Sequence, residues 1–114
     1  MQEELRKALK IEGVRWCLLI GPEGVREAAG SCPDALAQGT LAAMSLALRE
    51  TARELALGEM SDCWLCAEKI ILCLVAADDM LMLLGVDAAR ANIGLVRVHA
   101  RKVMGQIARA NDVR

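Results

Sequence analysis

The chain has 114 residues, of which 55% are hydrophobic and 25% charged, with a formal net charge of -1. That length holds one domain, residues 1–114, around one core, and the near-neutral balance argues against nucleic acid or an anionic membrane as the partner of the whole chain. Aromatics are confined to Trp16 and Trp64, which excludes a stacking platform for bases.

The opening stretch MQEELRKALK is charged and amphipathic, with no secretory leader in it. From Gln2 to Glu12 it reads as a short helix carrying Leu5, Ala8 and Leu9 on one face and stopping at Gly13. Val14 to Ile20 is a strand, with Val14, Trp16, Leu18 and Ile20 on one face and Arg15, Cys17 and Leu19 on the other. Both faces turn apolar toward its end, as in a strand covered on two sides. Gly21-Pro22-Glu23-Gly24 closes a hairpin, and the more polar Val25 to Gly30 returns near a sheet edge. The same Gly-Pro-Glu-Gly stretch is not a phosphate loop, since it lacks Lys-Ser/Thr and joins strand to strand.

A long helix follows over Pro33 to Leu57. Ser31 or Cys32 is expected to cap it, with Pro33 first, Asp34 in the first turn and Gly58 as the stop. Its first half, from Ala35 to Leu48, has no charged residue. A helix covering only its own sheet needs one apolar stripe; one that is apolar all round needs a second cover, which in so short a chain points to another subunit. The run is too short to cross a bilayer, which takes about 20 apolar residues. Ala37, Leu41, Met44, Leu48, Ala52 and Leu55 form the stripe expected on the sheet. Leu36, Gly39, Ala43, Leu46 and Ala47 lie opposite, and their small side chains would let a partner helix come close. The pattern leaves open that the two sides are swapped. Burying a Leu contributes about 1.5–3 kcal/mol, and several per subunit offset an association penalty of roughly 4–15 kcal/mol.

Three strands are expected next, over Glu59 to Ala67, Ile70 to Ala76 and Met80 to Val86, the first an edge strand. A last helix, Ala88 to Ala110, carries Ile93, Val96, Ala100, Val103 and Ile107 on one stripe, with Asn111 and Asp112 ending it. The order α-β-β-α-β-β-β-α is α+β and is satisfied by a five-stranded antiparallel sheet with helices on both faces.

This order resembles the roadblock (dynein light chain) family over about residues 3 to 110. The likeness is carried by Gly13-Val14 at the entry to the first strand, the Gly-Pro-Glu-Gly hairpin tip, the Ala-rich long helix, the three-strand meander and the closing Asn92-Ile93-Gly94-Leu95-Val96-Arg97. The resemblance implies pairing of two chains through the long helix and the neighbouring edge strand. It further implies a non-catalytic homodimer that binds and regulates a small Ras-like GTPase, as prokaryotic members commonly do. The alternative is a scaffold subunit pairing with another roadblock protein in a larger complex. An open edge at Glu59 to Ala67 invites aggregation unless paired, which places Trp64 near the seam; its plainer alternative is filling of the chain's own core.

Other residues bear on chemistry. Cys63-Trp64-Leu65-Cys66 has metal or redox spacing, but in a strand residues three apart face opposite sides with Cα atoms about 10 Å apart, against the roughly 7 Å limit of a disulfide. No second pair completes a zinc site. Five cysteines, an odd number, fit buried free thiols in a reducing cytoplasm, and no metal or cofactor is expected. His99, the only histidine, falls on the polar side of the last helix as a surface residue. Arg49, Glu50 and Arg53 on the long helix, with Arg97 and Arg101 on the last, are the candidate partner-binding charges. For each group, local pairing on a solvated face is the alternative.

Overall fold

The computed structural model describes residues 2–112, with side chains over 3–110. The elements are α1 (Gln2–Ala8), β1 (Val14–Gly21), β2 (Gly24–Gly30), α2 (Ala35–Glu54), β3 (Asp62–Cys66), β4 (Ile70–Ala77), β5 (Met80–Asp87) and α3 (Ile93–Asp112). The strands form one antiparallel sheet in the order β2-β1-β5-β4-β3. Every residue of β5 except Asp87 is buried, as its middle place and continuous apolar run require.

Alternation along the strands divides the core. Cys17, Leu19, Cys73, Val75, Met82, Leu84 and Val86 pack against Leu5 and Ala8 of α1 and against Val96, Ala100, Met104 and Ile107 of α3. On the other face Trp16, Leu18, Ile20, Leu74, Leu81 and Leu83 meet Ala42 of α2. Val14 leaves its expected face and joins the α1/α3 side. The register between β1 and β5 shifts between Val14 and Trp16, and an irregularity of that kind turns every side chain before it to the opposite face.

Helix ends differ most from expectation. α1 stops at Ala8, because Leu9, Lys10 and Ile11 each donate to the carbonyl three residues back and tighten the chain out of the α-helix. The N-cap of α2 is Asp34, not Ser31 or Cys32: its Oδ1 accepts from Ala37 N at 2.9 Å, an arrangement a short carboxylate makes better than a thiol. Pro33 stands outside the helix, where its carbonyl takes the Gln38 amide at 2.8 Å. The far end closes at Ala56, before Gly58. Ala56 N donates to Arg53 O at 3.1 Å and Leu57 N to Ala52 O at 2.9 Å, with Ala56 at φ 55. That bond pattern normally selects glycine at the left-handed position. Ala56→Gly is therefore expected to raise stability by about 0.5–1 kcal/mol, measured as a higher urea midpoint at unchanged slope.

α3 is capped by Asn92, whose Oδ1 accepts from Leu95 N at 3.2 Å. Its buried stripe runs from Val96 to Ile107 and gains Met104, while Ile93, in its first turn, is 44% exposed. At the hairpin's far end Gly30 has φ +86, and a Cβ there would stand 2.5 Å from the Arg15 carbonyl oxygen and 2.9 Å from the Trp16 Cα. Only glycine lets β2 close on β1 at that point.

Candidate interaction surface

The 20 residues of α2 make a rod of about 30 Å. The side it turns to the sheet is rotated from the expected stripe. Ala42, Ser45 and Arg49 are its buried residues, with Leu41, Leu46 and Leu48 partly buried in the same cluster. Leu55, expected on the sheet, is 64% exposed. Ser45 Oγ donates to Leu41 O at 2.8 Å, which satisfies a hydroxyl that the sheet cannot reach.

The opposite flank carries Leu36, Gly39, Ala43 and Ala47, all exposed. Leu36 is 84% exposed, and no charge interrupts the flank before Glu50. Leu46 belongs to the sheet side instead, half-buried in the cluster under the helix. Gly39, Ala43 and Leu46 also line an open groove of about 430 Å³ between α2 and the hairpin tip at Pro22 to Val25.

β3 is a sheet edge. Trp64 is half-buried and packs on the α1/α3 side, with Nε1 donating to Asp62 Oδ2 at 3.3 Å. It does not face α2. The β3 residues of that parity are Cys63, partly buried against the α2-side core, and Leu65, 49% exposed. Leu65 was missed in the sequence, although period-2 alternation from Trp64 marks it. Leu55 and Leu57, the latter 73% exposed, extend the apolar surface past the helix end. Patches of this kind mark contact surfaces.

The five candidate partner-binding charges do not share a surface. Arg49 is only 9% exposed and reaches under α2 to donate from Nη1 to the Asp79 carbonyl at 3.1 Å. It stitches the helix to the β4–β5 turn. Glu50 and Arg53 are exposed, but Arg53 grips Glu59 in two parallel bonds, Nε to Oε1 at 3.1 Å and Nη2 to Oε2 at 3.1 Å. Glu50 approaches the same guanidinium at 4.0 Å.

Arg97 and Arg101 lie across the sheet and converge on Asp62, Arg97 in direct contact and Arg101 at 3.4 Å. Burial alone would raise the Asp62 carboxyl. Hydrogen bonds from Trp64 and Ser61 and the two guanidinium charges outweigh that and hold it below its ordinary value of 3.8. Because the folded value lies below the unfolded one, the stabilisation is present above about pH 4 and is lost as the pH falls through the lowered folded value. Asp62→Asn should lower stability by about 1 kcal/mol near neutrality, a deficit that shrinks in acid. Urea titrations of both proteins across pH 3 to 7 check it.

The C-x-x-C pair is split as strand geometry requires. Neither of its thiols is buried, however, since Cys66 is exposed and Cys63 intermediate. Cys17 and Cys73 are buried, and burial pushes each thiol up to about 12. Among the described residues no cluster of His, Cys, Asp or Glu could hold a metal, and no helix is long and apolar enough to cross a membrane.

No family model and no curated protein matches the chain. Solved structures do. A gliding protein, MglB, from Thermus thermophilus superposes with a TM-score of 0.81 at 23% identity, over 99% of this chain and 89% of that one. A roadblock/LC7 domain from Streptomyces avermitilis gives 0.81 at 9% identity, over 96% of each chain. The chain has the roadblock fold. An MglB with a tetrameric arrangement gives 0.78 at 23% identity, over 95% of this chain and 85% of that one. Identities this low speak for the roadblock architecture and its element order alone.

Proposed function

We propose that this roadblock-fold chain is a non-catalytic cytoplasmic homodimer that binds and regulates, or positions, a small Ras-like GTPase. The observation that carries the reading is the exposed, uncharged flank of α2 running from Leu36 through Ala43 to Ala47. Small side chains there let a second α2 approach to the 8–10 Å of ordinary helix packing. The open edge of β3, with Leu65 beside it, supplies backbone groups that a partner strand would satisfy. Pairing through both would make one rigid, two-fold surface.

The GTPase half of the reading is supported by the likeness to MglB structures together with the roadblock resemblance in the sequence. Calorimetric titration with a Ras-like GTPase encoded beside this gene, loaded with GDP or with a non-hydrolysable GTP analogue, should give saturable binding in one of the two states. Heat of dilution alone in both would refute it. The second reading, a scaffold subunit within a larger roadblock assembly, draws on the tetrameric arrangement of one MglB. Sedimentation of the isolated chain separates the two: a stable dimer favours the regulator, and an aggregating monomer favours the scaffold.

A further inference from the structure

The sheet keeps the α2 flank apart from a second concave surface. On the far side α1 packs beside α3, and a groove of about 470 Å³ opens between them. Lys7 and Lys10 stand on one wall, and His99 and Lys102 on the other. The floor is apolar, with Ile11, Leu95, Val96 and Val103, and Leu95 is 53% exposed. Glu12 is the one acid among the described residues that line it. Lys7 Nζ donates to Gln106 Oε1 at 3.4 Å, bridging the walls at one point. No ion pair among the described residues engages Lys10, His99 or Lys102.

We propose that this groove seats an acidic amphipathic peptide segment of a partner protein. The charge pattern selects the occupant. Two cationic rims over a narrow apolar floor complement a segment with carboxylates on both flanks and aliphatic side chains between them. The concavity favours a peptide over a bilayer, because inserted side chains reach a floor that a flat surface bridges. The groove lies on the sheet face opposite α2, so a partner covering α2 leaves it open. The proposal therefore stands independently of the dimer and of the GTPase, and it makes the chain a two-sided adaptor.

The test uses the full chain and a fluorescein-labelled, end-blocked Leu/Glu peptide with Leu at helical spacing, read by fluorescence anisotropy at low and at physiological salt. Saturable binding is expected, weakened about tenfold by Lys10→Glu with Lys102→Glu and comparably by Leu95→Asp. It should weaken with added salt. Glu68→Gln, an exposed change outside the groove, should leave it unchanged. These lysines are exposed, so the fold survives their reversal, and circular dichroism verifies that. Three results overturn the proposal: no saturable binding, equal binding by the double charge reversal, or equal binding of a scrambled peptide of the same composition. Binding of phosphatidylserine-containing vesicles without peptide binding would overturn it in favour of a membrane.

Discussion

Ala43→Glu should convert the proposed dimer to a monomer without disturbing the fold. Ala43 is exposed on the uncharged flank of α2, and Glu is nearly as good a helix former as Ala, so the isolated chain tolerates the change. Its neighbours one turn away, Gly39 and Ala47, carry no charge and can neither pair with nor repel the new carboxylate. In a two-fold interface the substitution appears twice, and each copy would be desolvated against a partner helix with no counter-ion. Leaving a buried charge unpaired is worth about 2–5 kcal/mol, so the dissociation constant should rise roughly a hundredfold or more. Sedimentation velocity reads the mass, and circular dichroism confirms unchanged helix. A dimer that survives both Ala43→Glu and Ala47→Glu would place the seam elsewhere. The exposed Leu55, Leu57 and Leu65 would then be the surfaces to test.

The element order was legible in the sequence because each element carries its own period and its own stop. Gly13, Pro22-Glu23 and Ala77-Asp78-Asp79 punctuate segments whose apolar spacing switches cleanly between helix and strand. Details failed where two local signals compete. Ser31, Cys32 and Asp34 lie within one turn of each other, and the choice of cap depends on which backbone amide the side chain can reach. At the far end, glycine preference pointed to Gly58, yet the Ala56 backbone takes the left-handed turn. The rotation of α2 was not readable for a different reason. Where a helix is apolar all round, no stripe stands out, and the sheet chose the face holding Ser45 and Arg49.

Arg49 shows why the candidate site was only partly visible. A charge on a helix reads as a solvated or docking group, but its partner is a carbonyl thirty residues away in sequence, which no local pattern discloses. The same holds for Arg97 and Arg101, whose shared carboxylate, Asp62, sits on an edge strand across the fold. By contrast, spacing set Leu36, Gly39, Ala43 and Ala47 opposite the stripe expected on the sheet while leaving a swap of the two sides open, and the structure leaves all four exposed. The proposed pairing surface therefore rests on the uncharged flank and not on these arginines. The arginines that looked like docking groups largely hold the sheet, its turn and its edge together.

The core prediction with the largest effect concerns Gly85. It lies buried in β5, paired with Trp16 across the ladder, and a Cβ built on it would fall among the ring atoms Cε2, Nε1 and Cζ2 of that indole. Trp16 is itself 8% exposed and packed under α2 with Leu18 and Ile20, so the ring cannot swing away freely. Gly85→Ala should lower stability by about 2–3 kcal/mol, at the upper end of ordinary overpacking, although alanine is intrinsically better than glycine in a strand. The origin can be isolated. Trp16→Leu removes the ring, destabilising by itself, and in that background Gly85→Ala should be neutral or mildly stabilising. The cycle gives a coupling of about 2 kcal/mol, read from urea midpoints of the four proteins. If Gly85→Ala were equally damaging in both backgrounds, the indole would not be the reason that β5 carries a glycine there.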